Sequence, residues 1–469
     1  MERTNLIEAR TRKHWTLEKA AEQLEVDADT LCRWEKGRTR PRAYNLQRIC
    51  EVYGVSAAHL GLADAPSLDD SGEDLSVFSE ALPPRDDDGM LAELLQQDLS
   101  LRLIRLVWTW PRGNLRYEEL QGRIMKETEQ FSSISGDAEH PLTRRDALRR
   151  LALLPVEMYG LTTLVGALRQ PAEEFLPLCA ASVTACWYLM SGSDFTLVEH
   201  VLPQYLPRLE ALAKQPSRVQ KEAARLASHG YQISGLLSLH RNDLQARERH
   251  LQRAIQYAAI SEDVNLEVAA ITKQGNTYYY CASPNQMLDM SQQALPHINN
   301  VIPLVRSRAY LGLAAAHAQC GDEQEALRYS GMAYETFPQD AQNTIVTPYA
   351  GFGRGELIFW EGITQLELGH AKDAWNTFAR SIDPQSTAPV SERMRVEIVN
   401  HQAETAISLR DLDLFCAYLE QGIRGAEALG SQKRRSEAFD IHRQALKVWP
   451  HEPRIKALRE LFVKQPPKA

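Results

Sequence analysis

The stretch Val26–Arg42 reads "VDADTLCRWEKGRTRPR", and its reading decides how the N-terminal part of the chain folds. Asp27 has the short side-chain acceptor that a helix N-cap needs. A helix over Ala28–Lys36 then puts Leu31 and Trp34 on one face, and Gly37 follows where a C′ glycine ends helices. Five basic residues come after Glu35 with no acid between them: Lys36, Arg38, Arg40, Arg42 and Arg48. Working outward, "LIEARTRKHW" and "TLEKAAEQL" precede the stretch; Thr16 can cap the second of these, and Ala20, Ala21 and Leu24 lie at helical spacing. Downstream, "AYNLQRICEVYGV" supplies Leu46, Ile49, Cys50 and Tyr53 as another apolar face, and "SAAHLGL" closes the unit. Residues 1–62 are therefore predicted to form a compact bundle of short helices.

The net charge of −8 over 469 residues hides this patch. Residues 1–62 carry a charge of +2, residues 63–98 hold eleven acids against one arginine, and the remainder balances. Residues 63–90 are acidic, rich in Pro, Gly and Ser and poor in large apolar side chains, as in a self-repelling tether. No apolar run reaches the roughly 18 residues of a membrane span, and the N-terminus lacks the apolar core of a secretory signal. "TRRDALRRLALLP" (Thr143–Pro155) has a twin arginine but lies deep in the chain and is read as helix. Seven scattered cysteines without a C-x-x-C pair suit reduced thiols, so a cytoplasmic location with no membrane partner is expected.

From Met90 onward the apolar periodicity is helical and no alternating strand pattern appears, so the fold class is all-α. Residues 91–175 are expected to form a connecting helical segment, and residues 176–469 a repeat domain. "AYLGLAAAHAQCGDEQEALRYSGMAYETFP" (Ala309–Pro338) places Leu313, Gly321, Ala326, Ala333 and Pro338 at the spacing of a tetratricopeptide repeat. "LIFWEGITQLELGHAKDAWNTFARSIDP" repeats the logic with Gly362, Ala374 and Phe378. "GYQISGLLSLHRNDLQARERHLQRAIQYA" and "MRVEIVNHQAETAISLRDLDLFCAYLEQGIRGAEALG" are looser copies. Small residues let two antiparallel helices approach, and each pair hides its apolar face on the next, which makes an α-solenoid. About six or seven pairs are expected between residues 175 and 463.

In "WTLEKAAEQLEVDADTLCRWEKGRTRP" with "LQRICEVYGVSAAHL" behind it, the chain resembles the phage repressor/Cro (XRE-type) helix-turn-helix family. The matching residues are Ala21, Val26, Leu31, Glu35, Gly37, Leu46, Ile49, Gly54 and Val55, within residues 5–62. The resemblance implies a lambda-repressor-like domain whose second motif helix enters a major groove of double-stranded DNA. It also implies an ion pair between Arg10 and Glu35. On that helix Ala28, Asp29 and Arg33 lie opposite Leu31 and Trp34. Arg33 can fork onto guanine, Asp29 can accept from cytosine or simply favour the helix N-terminus, and Ala28 can touch a thymine methyl. Lys36, Arg38, Arg40 and Arg42 follow where flanking phosphates would lie, and Thr16 can offer its backbone amide to another.

The repeat domain is expected to form a groove for a peptide or protein segment. Its candidate polar residues are Gln274, Asn276, Tyr279, Tyr310, His317 and Asn400; plain solvated groove residues are the simpler alternative for any one of them. "GFGRGE" (Gly351–Glu356) has no preceding strand and no Gly-Lys-Ser/Thr, so it is read as a loop, not a P-loop. No His-Glu-x-x-His, nucleophile elbow or metal-ligand cluster appears, so no enzymatic activity, no cofactor and no metal is expected. The whole resembles the bacterial helix-turn-helix regulators that sense signal peptides, with a longer acidic tether and an added segment at 91–175. A homodimeric transcription regulator is the expectation; an interaction scaffold localised by its DNA-binding head is the alternative.

Overall fold

The computed structural model describes residues 4–13, 15–24, 26–37, 39, 41, 45, 48–49, 52–53, 60, 98–111, 113–134, 144–159, 171–338, 353–381 and 390–463. The chain divides into two compact units, Met1–Arg85 and Asp86–Ala469. Among the described residues there are twenty α-helices and no strand. The acidic stretch 63–90, the predicted core positions Leu46 and Cys50, and the family-matching Gly54 and Val55 lie outside the described residues.

The N-terminal unit is built on α1 (Thr4–Arg12), α2 (Leu17–Leu24) and α3 (Ala28–Glu35). Thr16 caps α2, its hydroxyl accepting from the Lys19 amide at 3.3 Å. Asp27 caps α3 with both oxygens, accepting from the Thr30 amide at 2.7 Å and from the Thr30 hydroxyl at 2.6 Å. Lys36 is the C-cap residue, as Gly37 at C′ requires, so the helix proper ends at Glu35, one residue before the expected Lys36, and Gly37 follows at φ 66°, where a side chain would be strained. The faces so fixed point Leu6, Ala20, Ala21, Leu24, Leu31, Trp34 and Ile49 into one apolar core.

The second unit opens with α4 (Leu99–Trp108), α5 (Tyr117–Ile134) and α6 (Arg144–Tyr159). These pack on each other and on α7 (Ala172–Leu189). The internal twin arginine belongs to α6, where Arg145 and Arg149 grip Asp194 at 2.6 and 2.8 Å. Burial works against the Asp194 charge, but the two guanidinium groups hold its carboxyl below the usual range.

Helix pairs follow among the described residues. α8 (Phe195–Lys214) packs chiefly on α9 (Gln220–His240), which also partners α10 (Leu244–Ser261); α11 (Val264–Tyr280) partners α12 (Pro284–Gln292). After the 3₁₀ turn Leu295–Asn300 come α13 (Pro303–Gln319) with α14 (Glu323–Thr336), and α15 (Arg354–Glu367) with α16 (Ala371–Ser381). The last pairs are α17 (Glu392–Ser408) with α18 (Leu412–Leu429), and α19 (Gln432–Val448) with α20 (Pro453–Val463). The array is a tetratricopeptide-like solenoid. Gly353, the described start of the "GFGRGE" run's second half, is the N-cap of α15, and its amide donates to Glu356 at 2.8 Å.

Close approach within pairs follows the small residues. A Cβ on Gly362 would stand 2.5 Å from the Phe378 ring, which is fully buried between α15 and α16. Leu313, Ala326 and Ala333 are buried as the first repeat copy predicts, and Gly321 turns the chain between α13 and α14 at φ 77°. The array also curls far enough for its ends to meet. Val396, Ala426 and Leu429 share one apolar cluster with α4 to α10, and His240 at the end of α9 meets Ser431 at 2.8 Å.

Candidate functional site

The first candidate surface is the outer face of α3. Leu31 and Trp34 are buried, which leaves Asp29 and Arg33, one turn apart, exposed on the opposite side. Thr16 and Lys36 are also exposed, and Ala28 is partly buried at the start of the helix. Arg38, Arg40 and Arg42 lie outside the described residues. The Arg33 side chain lies along its own helix: Nε donates to the Asp29 carbonyl at 3.3 Å and Nη2 to the Thr30 hydroxyl at 3.1 Å. Both bonds are exposed and the first is long, so exchanging them for a base edge costs little.

What holds this face is a half-buried fork. Arg10 Nε and Nη2 donate to the two carboxylate oxygens of Glu35 at 2.6 and 3.1 Å, and Nη1 donates to the Trp15 carbonyl at 3.1 Å. Glu35 is 5% exposed and Arg10 half-buried, so α1 clamps the end of α3 through a bidentate pair whose carboxylate is withdrawn from solvent. The hydrogen bonds to Glu35 raise the Arg10 pKa above its ordinary value, against the effect of burial. The helix is thereby fixed in angle while its exposed side stays polar and adaptable.

The second candidate site is a cavity of about 350 Å³ in the helical unit, partly open to solvent. The first helices of successive pairs, α9, α11, α13, α15 and α17, each turn residues into it, as do α5 and α7. Four cations line it: Arg247, Lys273, Arg308 and Arg393. Arg247 is fixed by Thr277 Oγ1 at 2.9 Å and by the carbonyls of Gly235 and Lys273 at 3.2 Å each. Lys273 lies over the Trp187 ring and Arg308 over the Trp360 ring, 5.4 and 4.4 Å from the centroids. Burial, then Arg308, Arg247 and Arg393, pull the Lys273 ammonium down to about 7.

Of the lining carboxylates, Glu129 is exposed. Glu356 accepts from the Gly353 amide. Glu397 accepts from the Tyr280 hydroxyl at 2.8 Å and pairs with Arg434 at 2.9 Å. Burial pushes the Glu397 carboxyl up, but Arg434 and the other donors outweigh it and hold it below its usual range.

The six groove residues proposed from sequence are all on first helices of their pairs, but only Asn276 lines this cavity. Gln274 is buried and donates to the Tyr278 hydroxyl at 3.3 Å. Tyr279 sets its ring edge against Trp360, and Tyr310 packs on Tyr329. His317 stacks on Tyr329 and meets Asp322 at 3.1 Å. Asn400 is buried and donates to the Arg434 carbonyl at 2.9 Å, close against Gly422. The cationic cluster was not anticipated. A usable signal was present in "VAAITKQGNTYYY", where Lys273 interrupts an uncharged run one turn before Asn276.

Among the described residues, no group of three His, Cys, Asp or Glu is placed to hold a metal ion, and no helix is long and apolar enough to cross a membrane.

Residues 6–60 match the family model HTH_3, "Helix-turn-helix", so the N-terminal unit is a helix-turn-helix domain of the phage-repressor (XRE) type. The described helices from Ala172 to Val463 form the tetratricopeptide-like array of the same chain. No curated protein matches the chain. Among solved structures, the chain is similar to a Rap protein complexed with Competence and Sporulation Factor, at 12% identity and a TM-score of 0.42, over 78% of this chain and 97% of that one. It is also similar to the APC/C hetero-tetramer Cut9–Hcn1, at 12% identity and a TM-score of 0.34, over 81% of this chain and 64% of that one.

Proposed function

We propose that this chain is a sequence-specific DNA-binding transcription regulator of the cytoplasm, whose helical unit mediates oligomerisation, senses a peptide or protein signal, or does both. The observation that carries the reading is the exposed Asp29–Arg33 face of α3, held rigid by the half-buried Arg10–Glu35 fork. A rigid helix that exposes an arginine in its last turn, one turn after Asp29, suits direct readout of guanine O6 and N7. Lys36, together with Arg38, Arg40 and Arg42 in the sequence, supplies the phosphate-neutralising charge that gives affinity without sequence preference.

One such module covers about half a site, so useful affinity calls for two copies on half-sites a helical turn apart. A signal bound by the helical unit would act by changing the spacing or freedom of the two heads. Selection of bound fragments from random duplex DNA by the full chain tests the reading. A recurrent, two-fold-related motif supports it; recovery of unrelated fragments refutes it. Deleting residues 1–62 separates the regulator from a scaffold, because only a scaffold would keep its partner and its activity without the head.

A further inference from the structure

Seven large apolar side chains are exposed among the described residues, and on two helices a pair of them stands seven positions apart. On α4 the pair is Leu101 and Trp108; on α14 it is Leu327, 43% exposed, and Tyr334, 38% exposed. Positions i, i+4 and i+7 share one helix face, so the residue between the two decides what that face can meet. On α4 it is Arg105, an exposed cation. On α14 it is Gly331, also exposed, with open space where a side chain would stand.

Nothing inside the fold calls for this glycine. It sits within an ordinary helix, where alanine is the more favourable residue, and no atom crowds it. What a glycine permits at such a place is the close approach of another backbone from outside.

The two flanks of Gly331 differ in kind. At about 100° per residue, Leu327 and Tyr334 lie about 40–60° to one side of it, and Arg328 and Glu335 as far to the other. A two-fold axis at Gly331 generates an antiparallel copy of α14 with each flank on its own side and its direction reversed. Leu327 then meets the partner's Tyr334, and Arg328 meets the partner's Glu335, each contact occurring twice. The face is complementary to itself in apolar surface and in charge. Two of its groups are held in place beforehand: the Tyr334 hydroxyl donates to Glu361, and Arg328 Nε donates to Glu325 at 3.0 Å. The same operation on α4 would set one Arg105 against another.

We propose that the outer face of α14 is a homodimer interface in which two copies of the chain cross antiparallel at Gly331. The inference rests on the oligomerisation proposed above and deepens it by naming the face. One crossing of two such helices buries less than the roughly 1,200–2,000 Å² of a standard interface, so free chains should dissociate at about 1–100 µM. Adjacent half-sites on one duplex raise the effective concentration of the two copies, and there a contact of this strength suffices.

Sedimentation velocity of the full chain across about 1–200 µM tests this. The native chain should pass from monomer to dimer. Gly331→Glu, which sets two carboxylates face to face, should stay monomeric throughout. Arg328→Glu and Glu335→Arg should each weaken the dimer about tenfold, and the two combined should restore it, because only this crossing brings those positions together. All three positions are exposed, so melting curves of the variants at the lowest concentration should match the native one. A native chain that stays monomeric, a dimer that Gly331→Glu leaves intact, or a combined variant as weak as the single ones overturns the proposal. The first of these results removes the oligomerisation as well; the second keeps it and moves it to another face.

Discussion

The hydroxyl of Tyr280 donates to the carboxylate of Glu397 at 2.8 Å, joining α11 to α17 across 117 residues of chain. Burial, followed by the neighbouring Glu397 charge, pushes the Tyr280 hydroxyl up to about 12, so it stays a donor at every ordinary pH. A helical array that only stacked neighbour on neighbour would not make this contact. Tyr280→Phe should lower the stability of the helical unit by roughly 2 kcal/mol, the worth of a hydrogen bond to a charged group. Chemical denaturation of the full chain, followed by far-ultraviolet circular dichroism, measures it; an unchanged midpoint would mean that the tie contributes nothing.

Gly362 permits the closest helix approach in the second clear repeat. Gly362→Ala drives a methyl into the Phe378 ring, and because that ring is buried between packed helices it cannot swing away. Overpacking of this kind should cost about 1–3 kcal/mol. Gly331 has open space at the same construction, so Gly331→Ala serves as the control and should leave the melting temperature the same or slightly higher.

His240 gives the fold a sensitivity to acid. It is 1% exposed, stacked on Phe195 and bonded through Nδ1 to Ser431. Burial, then Arg393, Arg434, Arg247 and Arg241, hold its pKa well below 6.5. The unfolded chain therefore takes up a proton near 6.5 that the folded chain refuses. The stability owed to the neutral ring is complete above that value and is lost as pH falls below it. His401, held above the ordinary value, works in the opposite sense, so the test is a difference. The stability gap between the native chain and His240→Gln should narrow from pH 7.5 to pH 5 (about one unit above and below the ordinary histidine range). Parallel curves would contradict this.

The Arg10–Glu35 fork should be worth about 3 kcal/mol to the N-terminal unit, since Arg10→Ala leaves a buried carboxylate without its cation. Arg10→Lys keeps the charge but not the fork and should fall between. Hydrogen exchange of the amides in α1 to α3 reads the loss without interference from the larger unit.

These relationships were unequally legible in the sequence. Asp27, Thr16, Gly37, Leu31 and Trp34 could be placed because caps, C′ glycines and helical spacing are local rules. Gly362, Ala374 and Phe378 could be placed because a repeat reuses one packing solution. The Arg10–Glu35 pair came from resemblance alone. Of the cavity cations only Lys273 left a local signal; that Arg247 and Arg393 join it could not be read, because the curl that brings them together depends on the summed angles of several helix pairs. For the same reason five of the six proposed groove residues sit away from the cavity: position within a helix pair is periodic, but which turn faces the interior is set by that accumulated rotation.

The central claim is that α3 reads bases, and fluorescence anisotropy on the duplex recovered by selection tests it most directly. The full chain should prefer that duplex to a scrambled one by about a thousandfold or more at physiological salt. Arg33→Ala should lose about 1–3 kcal/mol on the selected duplex while binding the scrambled one as before, and Lys36→Ala should weaken both alike and flatten the salt slope by about one. Equal affinity for the two duplexes, or an Arg33→Ala loss of the same size on each, would contradict the account.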